Sequence, residues 1–215
     1  IKGPASALIG KNAIGGVAQF FMKPERAGGS LTATIGSYGR LDGSLRYRWD
    51  FERGNLYVGV ANSDYKGFQR DAGRAQSALL VGGDFAVTRN WTTGFQLYDT
   101  RVRGDRGSIV PLVNGKPIFG ITSRDNHGIP DSYVTGDYQS FSWKNRFELG
   151  AGWSINHLSS FARYNRFFAG GITIVPPPAA VSKGYSESYT ADRGVYHELA
   201  ATHLMAGKGW SNEFQ

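Results

Sequence analysis

The side chains best suited to catalysis or metal binding are spaced wrongly for either role. His197 and Glu198 are followed by His203, but a zinc-protease helix needs its second histidine four residues after the first, and here it lies six away on an apparent strand. Gly10 and Lys11 lack the earlier glycine and the following Ser or Thr of a phosphate-binding loop. No nucleophile, base and orienting group can be assembled from neighbouring positions. The sequence therefore predicts neither an enzyme nor a metal site.

The remaining chemistry lies in basic and aromatic side chains on segments that alternate in polarity. Between positions 44 and 51, one face of a strand carries Leu45, Tyr47, Trp49 and Phe51, and the other carries Ser44, Arg46, Arg48 and Asp50. In a barrel wall the charged face of such a strand would have to point to the lumen, because an arginine on the lipid side costs about 2 to 4 kcal/mol at the bilayer midplane. The same reasoning gives five lumen-facing candidates, which are Arg46, Arg48, Tyr98, Lys144 and Arg146.

Eight alternating segments and the start of a ninth follow one another along the chain. They cover positions 30–37, 44–51, 56–65, 75–87, 91–103, 138–149, 153–167 and 188–202, and the ninth begins at 210. Short turns at 52–55, 88–90, 150–152 and 205–209 alternate with longer connections at 66–74, 104–136 and 168–187. Short turns on one side and long loops on the other are typical of outer-membrane barrels. The pattern predicts an all-β fold, an antiparallel up-and-down transmembrane β-barrel that is present only in part.

Composition excludes several other classes of protein. No stretch approaches the ~18 consecutive apolar residues of a membrane helix, and 40% hydrophobic with 19% charged residues argues against disorder. The net charge is +7, but the basic residues are scattered along the chain, which argues against a nucleic-acid partner. The absence of cysteine excludes a disulfide framework. Because the sequence has no initiator Met or signal peptide and stops within an apparent strand, we expect a fragment.

The first two dozen residues carry a second pattern, rich in glycine and ended by a Lys-Pro pair. Closely spaced glycines let a backbone lie tight against a neighbouring wall. The positions that form this pattern are Lys2, Gly3, Pro4, Ser6, Gly10, Gly15, Gly16, Lys23 and Pro24. With these residues the stretch resembles the end of the plug domain of TonB-dependent outer-membrane receptors. The resemblance implies that residues 1–28 form the C-terminal end of a plug domain and that residues 29–215 form the N-terminal part of the barrel.

The resemblance also implies a function. TonB-dependent receptors of the ferric-siderophore type take up an iron chelate across the bacterial outer membrane, energised by TonB of the inner-membrane TonB-ExbB-ExbD complex. Such a protein is a transporter, its partners are the ferric siderophore, TonB and outer-membrane lipid, and iron is chelated cargo, so no cofactor is expected. Residues in the long connections join the candidate ligand-binding set, namely Arg124, His127, Tyr133 and Tyr185.

Two alternatives remain at the level of single residues. The lumen-facing cations either form salt bridges and pack against the plug, or they form a basic wall that attracts an anionic chelate. The aromatic residues Trp49, Phe51, Trp91, Trp143, Trp153 and Trp210 are expected at the membrane interfaces, where they anchor the ends of strands.

Two other classes of protein share parts of the pattern. A passive porin-like or adhesin β-barrel has the same alternation and aromatic girdles, but it has no reason to carry the plug-like residues 3–24. A soluble β-sandwich binding module is the third interpretation, and solubility of the full-length product without detergent is what it predicts.

Overall fold

One long antiparallel sheet dominates the computed structural model, which describes residues 26–105, 112–113, 116–117, 122, 124, 132–174, 182–207 and 210–214. The strands are β1 Gly28–Gly36, β2 Arg40–Phe51, β3 Gly54–Tyr65, β4 Arg74–Ala86, β5 Trp91–Asp105, β6 Leu112–Val113, β7 Lys116–Pro117, β8 Tyr133–Gly150, β9 Trp153–Ile174, β10 Ser182–Gly207 and β11 Trp210–Phe214. Nine of them form the sheet in the order β1-β2-β3-β4-β5-β8-β9-β10-β11, and β6 pairs only with β7. The described strands leave β1 and β11 as edges, so the sheet is not closed.

Apart from the separate β6–β7 pair, each strand of the nine-stranded sheet pairs with the sheet strand that follows it along the chain, which confirms the predicted up-and-down antiparallel architecture. The strand ends differ from the prediction at the side of the long connections. β8 begins at Tyr133 instead of 138, and β9 continues to Ile174 and pairs there with Ser182 at the start of β10. Most of the predicted loop 168–187 is therefore strand, and the predicted turn 205–209 is strand up to Gly207. Backbone pairing continues there although the polar and glycine-rich sequence no longer alternates with an apolar face.

The connections differ between the two ends of the sheet. At one end, the inner end, residues 52–53, 87–90 and 151–152 join neighbouring strands. At the other, the outer end, the connections are the 3-10 turn Ser37–Gly39, residues 66–73, 106–132 and 175–181. The inner turn between β8 and β9 places Gly150, Ala151 and Gly152 in succession at positive φ (85°, 50° and 81°). A side chain at Gly152 has no room, because its Cβ would lie 2.4 Å from the carbonyl oxygen of Leu204.

Register divides the sheet into two chemically different faces, because directly paired residues point to the same side. One row of paired residues crosses seven strands and is entirely apolar: Tyr47, Val58, Val81, Leu97, Phe141, Phe161 and Val195. The adjacent row on the opposite side is Arg48, Tyr57, Gly82, Gln96, Ser142, Ser160 and Tyr196. We call these sides the apolar face and the polar face. The predicted girdle residues Trp49, Phe51, Trp91, Trp143 and Trp153 share the apolar face.

The sheet has almost no interior of its own. Among the described residues, the buried apolar side chains are Tyr57, Leu80 and Ala169, whereas Val195 and Leu199 on the apolar face are 68% and 75% exposed. An apolar surface of this extent requires a nonpolar covering, and outward-facing apolar bands of this kind meet lipid in membrane barrels. No helix in the described part of the chain has the length and apolar character needed to cross a membrane.

Candidate functional site

The polar face forms two adjoining cavities near the outer end of the sheet. Tyr65, Arg74, Tyr138, Tyr164 and Arg166 line a cavity of about 530 Å³. Arg40, Tyr65 and Arg74 contribute to a second cavity of about 770 Å³ toward β1. Because Tyr65 and Arg74 belong to both, the cavities form one continuous depression. We call it the outer groove and define it by Arg40, Tyr65, Arg74, Tyr138, Tyr164 and Arg166.

Strand register brings these six side chains together from five strands. Tyr65 of β3 pairs directly with Arg74 of β4, and Tyr138 of β8 pairs directly with Tyr164 of β9. Between these pairs, the polar face carries Gly104 on β5, which pairs with Arg74. It also carries Gly136 on β8, which pairs with Arg166. Because glycine has no side chain, the floor of the groove is low at these two positions. The phenol and guanidinium groups form its walls.

One of the three arginines of the groove, Arg40, is paired with a carboxylate of its own strand. Arg40 Nε lies 2.7 Å from Asp42 Oδ2, and the Ser63 hydroxyl donates a second hydrogen bond to the same carboxylate. The pKa of Asp42 is held below its ordinary value. The main cause is the hydrogen bond from Ser63, and the second is the hydrogen bond from Arg40. Asp42 lies outside the apolar band, because the adjacent row on the opposite face, one residue closer to the inner end, already contains Asn62, Ser77 and Arg101.

The other two arginines keep their charge available. Among the described residues, the side-chain hydrogen bond of Arg74 is a long one to Gln76, at 3.4 Å between Nη2 and Oε1. Within the described ranges, Arg166 forms no ion pair. Two guanidinium groups beside three phenol rings suit an anionic, aromatic or oxygen-rich ligand, because guanidinium binds paired oxygens through two parallel hydrogen bonds and also stacks on rings.

The five candidates predicted to face the lumen all lie on the polar face. Three of the cations are engaged with carboxylates on that face: Arg48 Nε lies 2.6 Å from Asp50 Oδ1, Lys144 Nζ lies 2.9 Å from Asp84 Oδ1, and Arg146 Nε lies 2.5 Å from Glu148 Oε1. Such pairs support the salt-bridge alternative for these residues.

The remaining two lumen-facing candidates differ from these three cations. Arg46 has no ion pair within the described residues. The Tyr98 ring lies 6.0 Å from that of Tyr138, which places Tyr98 against the outer groove. Tyr98 is thus the predicted lumen-facing residue closest to the groove.

Arg124 is the one candidate predicted in a loop that the structure describes and places in a connection. The Arg124 guanidinium lies 5.7 Å from the centre of the Tyr38 ring, and the Arg124 carbonyl accepts a hydrogen bond from the Arg70 N–H at 2.9 Å. The long connection therefore touches two of the shorter outer connections, Ser37–Gly39 and 66–73, at this point. His127 and the plug-like residues Lys2, Gly3, Pro4, Ser6, Gly10, Gly15, Gly16, Lys23 and Pro24 lie outside the described residues.

The loop positions predicted for Tyr133 and Tyr185 were wrong. Tyr133 begins β8, and its ring packs against Phe167 at 5.6 Å and beneath Arg103 at 5.8 Å. Tyr185 lies in β10 and donates a hydrogen bond to Glu187 at 2.7 Å. Both belong to the side of the sheet opposite the groove. The reason is that β8, β9 and β10 extend further outward than their apolar alternation indicated.

Most residues of the outer groove were not predicted from the sequence, although the alternation that marks the polar face was visible there. Tyr138 occupies the same alternate positions of β8 as Lys144 and Arg146, and Arg40 occupies the same alternate positions of β2 as Arg46 and Arg48. Extending each predicted polar face to the outer end of its strand would have found both residues. The convergence of Tyr65 with Tyr164 needs the register of the strands between them.

Comparison with known proteins gives a fold. No family model matches the chain, and no curated protein matches it. The siderophore receptor PiuA from Acinetobacter baumannii superposes with a TM-score of 0.79 at 17% identity, over 95% of this chain and 32% of that one. The fold is that of the barrel wall of siderophore receptors. The open form of the ferric-catecholate import receptor Fiu from E. coli K12 gives a TM-score of 0.73 at 10% identity over 88% of this chain. Its closed form gives 0.73 at 12% identity over 96%.

This chain spans about a third of the length of those solved receptors, with 32% to 33% of each covered. In membrane barrels with this kind of wall, the polar face lines the lumen and the apolar face meets lipid. The outer groove lies on the polar face, at the end of the sheet where the longer connections are found.

Proposed function

We propose that this chain is part of a TonB-dependent receptor that carries a ferric siderophore across the bacterial outer membrane. The observation that carries the proposal is the superposition on a siderophore receptor over 95% of the chain. The solved relatives are described as siderophore or ferric-catecholate import receptors, and that chemistry is extended here to this chain. Residues 1–28, which resemble the end of a plug domain, supply the gate that separates such a receptor from a passive pore.

The outer groove gives the proposed substrate a place to bind. Ferric siderophores present oxygen ligands and often carry negative charge, and a confined site of one charge sign raises the rate at which an opposite charge is captured. Arg74 and Arg166 supply that charge, and Tyr65, Tyr138 and Tyr164 supply phenol groups beside it. Iron enters as chelated cargo and the protein needs no cofactor for this step.

Release of the substrate inward requires energy from outside the barrel. The proposed source is TonB of the inner-membrane TonB-ExbB-ExbD complex, and the surrounding partner is outer-membrane lipid on the apolar face. The transporter is thus a receptor in the outer membrane, with the outer groove on the external side and the short turns on the periplasmic side.

The test is iron uptake by the complete protein that contains this chain, expressed in a Gram-negative strain without other siderophore receptors. Growth on a ferric siderophore as the sole iron source is expected, and it is expected to disappear when TonB is deleted. Uptake that persists without TonB would establish the porin-like alternative. No uptake with any catecholate, hydroxamate or carboxylate siderophore would refute siderophore transport.

The role of the outer groove is tested separately by affinity. Arg166→Gln removes a cation that forms no ion pair in the described part of the chain, so the Kd for an anionic ferric siderophore should rise about tenfold, which corresponds to ~1.4 kcal/mol. Arg146→Gln is the matched control, because Arg146 is paired with Glu148 and lies away from the groove. Equal effects of the two substitutions would remove the groove from the binding site.

A further inference from the structure

Two arginines lie side by side on the apolar face, in the outer half of β9 and β10. Arg163 pairs directly with Arg193, and directly paired residues point to the same side of a sheet. On the inner side they are followed by Phe161 and Val195, which belong to the apolar row. Like charges directly opposite each other destabilise a sheet. A bound anion would offset that repulsion at Arg163 and Arg193, which we call the outer arginine pair.

The carboxylates nearest to the outer arginine pair are shared with other groups. Neither arginine of the pair forms an ion pair within the described residues. Asp99 accepts a hydrogen bond from Gln139 at 2.7 Å, and its other oxygen lies 3.4 Å from Arg101 Nε. Asp137 pairs directly with Arg101 and lies diagonal to Arg163. Three arginines therefore face two carboxylates at this level, and positive charge remains in excess.

The position along the strands places the outer arginine pair at the outer edge of the apolar band. Trp153 begins β9 directly after the inner turn, and Arg163 follows ten residues later. Ten residues span about 33 Å along a strand, and a tilt of about 40° reduces this to ~25 Å across the membrane, which is the height of the apolar band in a membrane barrel. Arg193 lies equally far from His203, the partner of Trp153.

The Arg163 side chain extends still further outward. The Asn165 amide oxygen, with the amide oriented by its hydrogen bonds, accepts from Arg163 Nε at 3.0 Å and from Nη2 at 3.1 Å. The guanidinium group thus lies at the level of Asn165, two residues beyond Arg163 itself, as expected for an arginine that keeps its charge out of hydrocarbon. These contacts use two of the five N–H donors of the group. Three remain for a ligand at the level of the lipid headgroups.

We propose that the outer arginine pair binds a phosphate of lipid A, the phosphorylated and acylated glucosamine disaccharide in the outer leaflet of the bacterial outer membrane. Arg163 and Arg193 hold the phosphate oxygens, and the acyl chains of the same molecule run inward over Phe161 and Val195. This inference rests on the proposed function for the placement of the apolar face in lipid and of the outer end outside the cell. It does not rest on siderophore transport.

The charge of the phosphate distinguishes lipid A from a phospholipid at this site. The phosphates of lipid A are monoesters, and a phosphate monoester carries a charge of about −1.5 to −2 with three acceptor oxygens. A phospholipid phosphate is a diester with a single negative charge and two free oxygens. Two neighbouring guanidinium groups match the monoester better, because each can bind a pair of oxygens through parallel hydrogen bonds.

The first experiment compares two lipids on the complete, unsubstituted protein that contains this chain, in dodecyl maltoside micelles. The probes are lipid A and the same lipid after removal of both phosphates, and the Kd of each is measured by microscale thermophoresis. Lipid A should bind at least about tenfold more tightly, because hydrogen bonds to charged groups are among the strongest in proteins. Equal affinities for the two lipids overturn the proposal, and this result does not depend on the folding of any variant.

Substitutions then locate the site. Arg163→Gln combined with Arg193→Gln should raise the Kd for lipid A at least about tenfold and leave the Kd for the dephosphorylated lipid unchanged. Arg146→Gln is the control for loss of an arginine, because Arg146 lies on the polar face near the inner end and is paired with Glu148; its Kd for lipid A should equal that of the parent. A double variant that binds lipid A as tightly as the parent overturns the proposal.

Two further measurements separate this inference from its alternatives. Phosphatidylglycerol, added as a competitor, should displace lipid A only at a concentration at least about tenfold higher, and displacement at equal concentrations overturns the assignment to lipid A. The double variant should bind a ferric siderophore with the Kd of the parent, because the outer arginine pair lies on the side of the sheet opposite the outer groove. A parent protein that prefers phosphorylated lipid A but transports no siderophore supports this inference and refutes the proposed function.

Discussion

Replacing Phe141 by arginine tests which side of the sheet meets lipid. Phe141 lies in the middle of β8 on the apolar face, between Leu97 and Phe161, and is 44% exposed in the isolated sheet. Its neighbour Ser142 points to the polar face between Gln96 and Ser160. The pair Phe141→Arg and Ser142→Arg thus introduces the same charge at adjacent positions on opposite faces.

The expected costs differ by several kcal/mol. Arginine on the lipid face near the midplane costs about 2 to 4 kcal/mol. Loss of the phenylalanine adds about 1 kcal/mol, because full burial of such a side chain contributes about 1.5 to 3 kcal/mol and only the exposed 44% of this residue is left for lipid to cover. Phe141→Arg should therefore lower the free energy of unfolding by about 3 to 5 kcal/mol. Ser142→Arg enters a polar wall and should change it by less than about 1 kcal/mol.

The assay is equilibrium unfolding of the complete protein in lipid vesicles by guanidinium chloride, followed by tryptophan fluorescence. Phe141→Leu serves as the control for loss of the ring, and should cost less than about 1.5 kcal/mol. A larger loss of stability for Ser142→Arg than for Phe141→Arg would mean that the two faces have been assigned the wrong way round. The outer groove would then lie on the lipid side of the sheet and could not be the proposed binding site.

Two further predictions concern the turn between β8 and β9 and the outer end of β2. Gly152→Ala should lower the unfolding midpoint more than Gly150→Ala, because both positions have positive φ but only at Gly152 would the added Cβ meet a backbone oxygen, at 2.4 Å; equal midpoints would contradict the turn geometry. Because the pKa of Asp42 is lowered on folding from 3.8, its contribution to stability should be complete above that pH and should be lost as the pH falls through the lower folded value. The difference in stability between the parent protein and Asp42→Asn, measured at several pH values by denaturant unfolding, should therefore shrink in acid, and a difference that grows in acid would contradict the contact with Ser63.

The architecture was readable from sequence because the alternation of polar and apolar residues is strong in the middle of each strand. Residues such as Leu45, Tyr47 and Trp49 on one side, and Arg46 and Arg48 on the other, specify a strand and its two faces without any knowledge of its neighbours. The outer ends lack that contrast. Gly170 and Gly171 resemble a loop in sequence, yet their backbones pair with Ser186 and Tyr185 in the extended β9–β10 hairpin.

The candidate site was less readable, because it combines residues from strands that are distant in sequence. Tyr65 and Arg166 of the outer groove are brought together by three intervening strands, and only the register shows that Gly104 and Gly136 lie between them.

One feature of the sequence identifies several of the paired cations. On the polar face, Arg40, Arg48 and Arg146 are each followed two residues later by a carboxylate, and all three form ion pairs with it. Residues two apart in a strand point to the same side, so this spacing neutralises a cation within its own strand. Arg74 is followed at that distance by Gln76, and Arg166 by Phe168, and these two arginines line the groove. A carboxylate placed two residues after Arg166, as in Phe168→Glu, should therefore weaken binding of an anionic siderophore much as Arg166→Gln does, although it leaves the arginine in place.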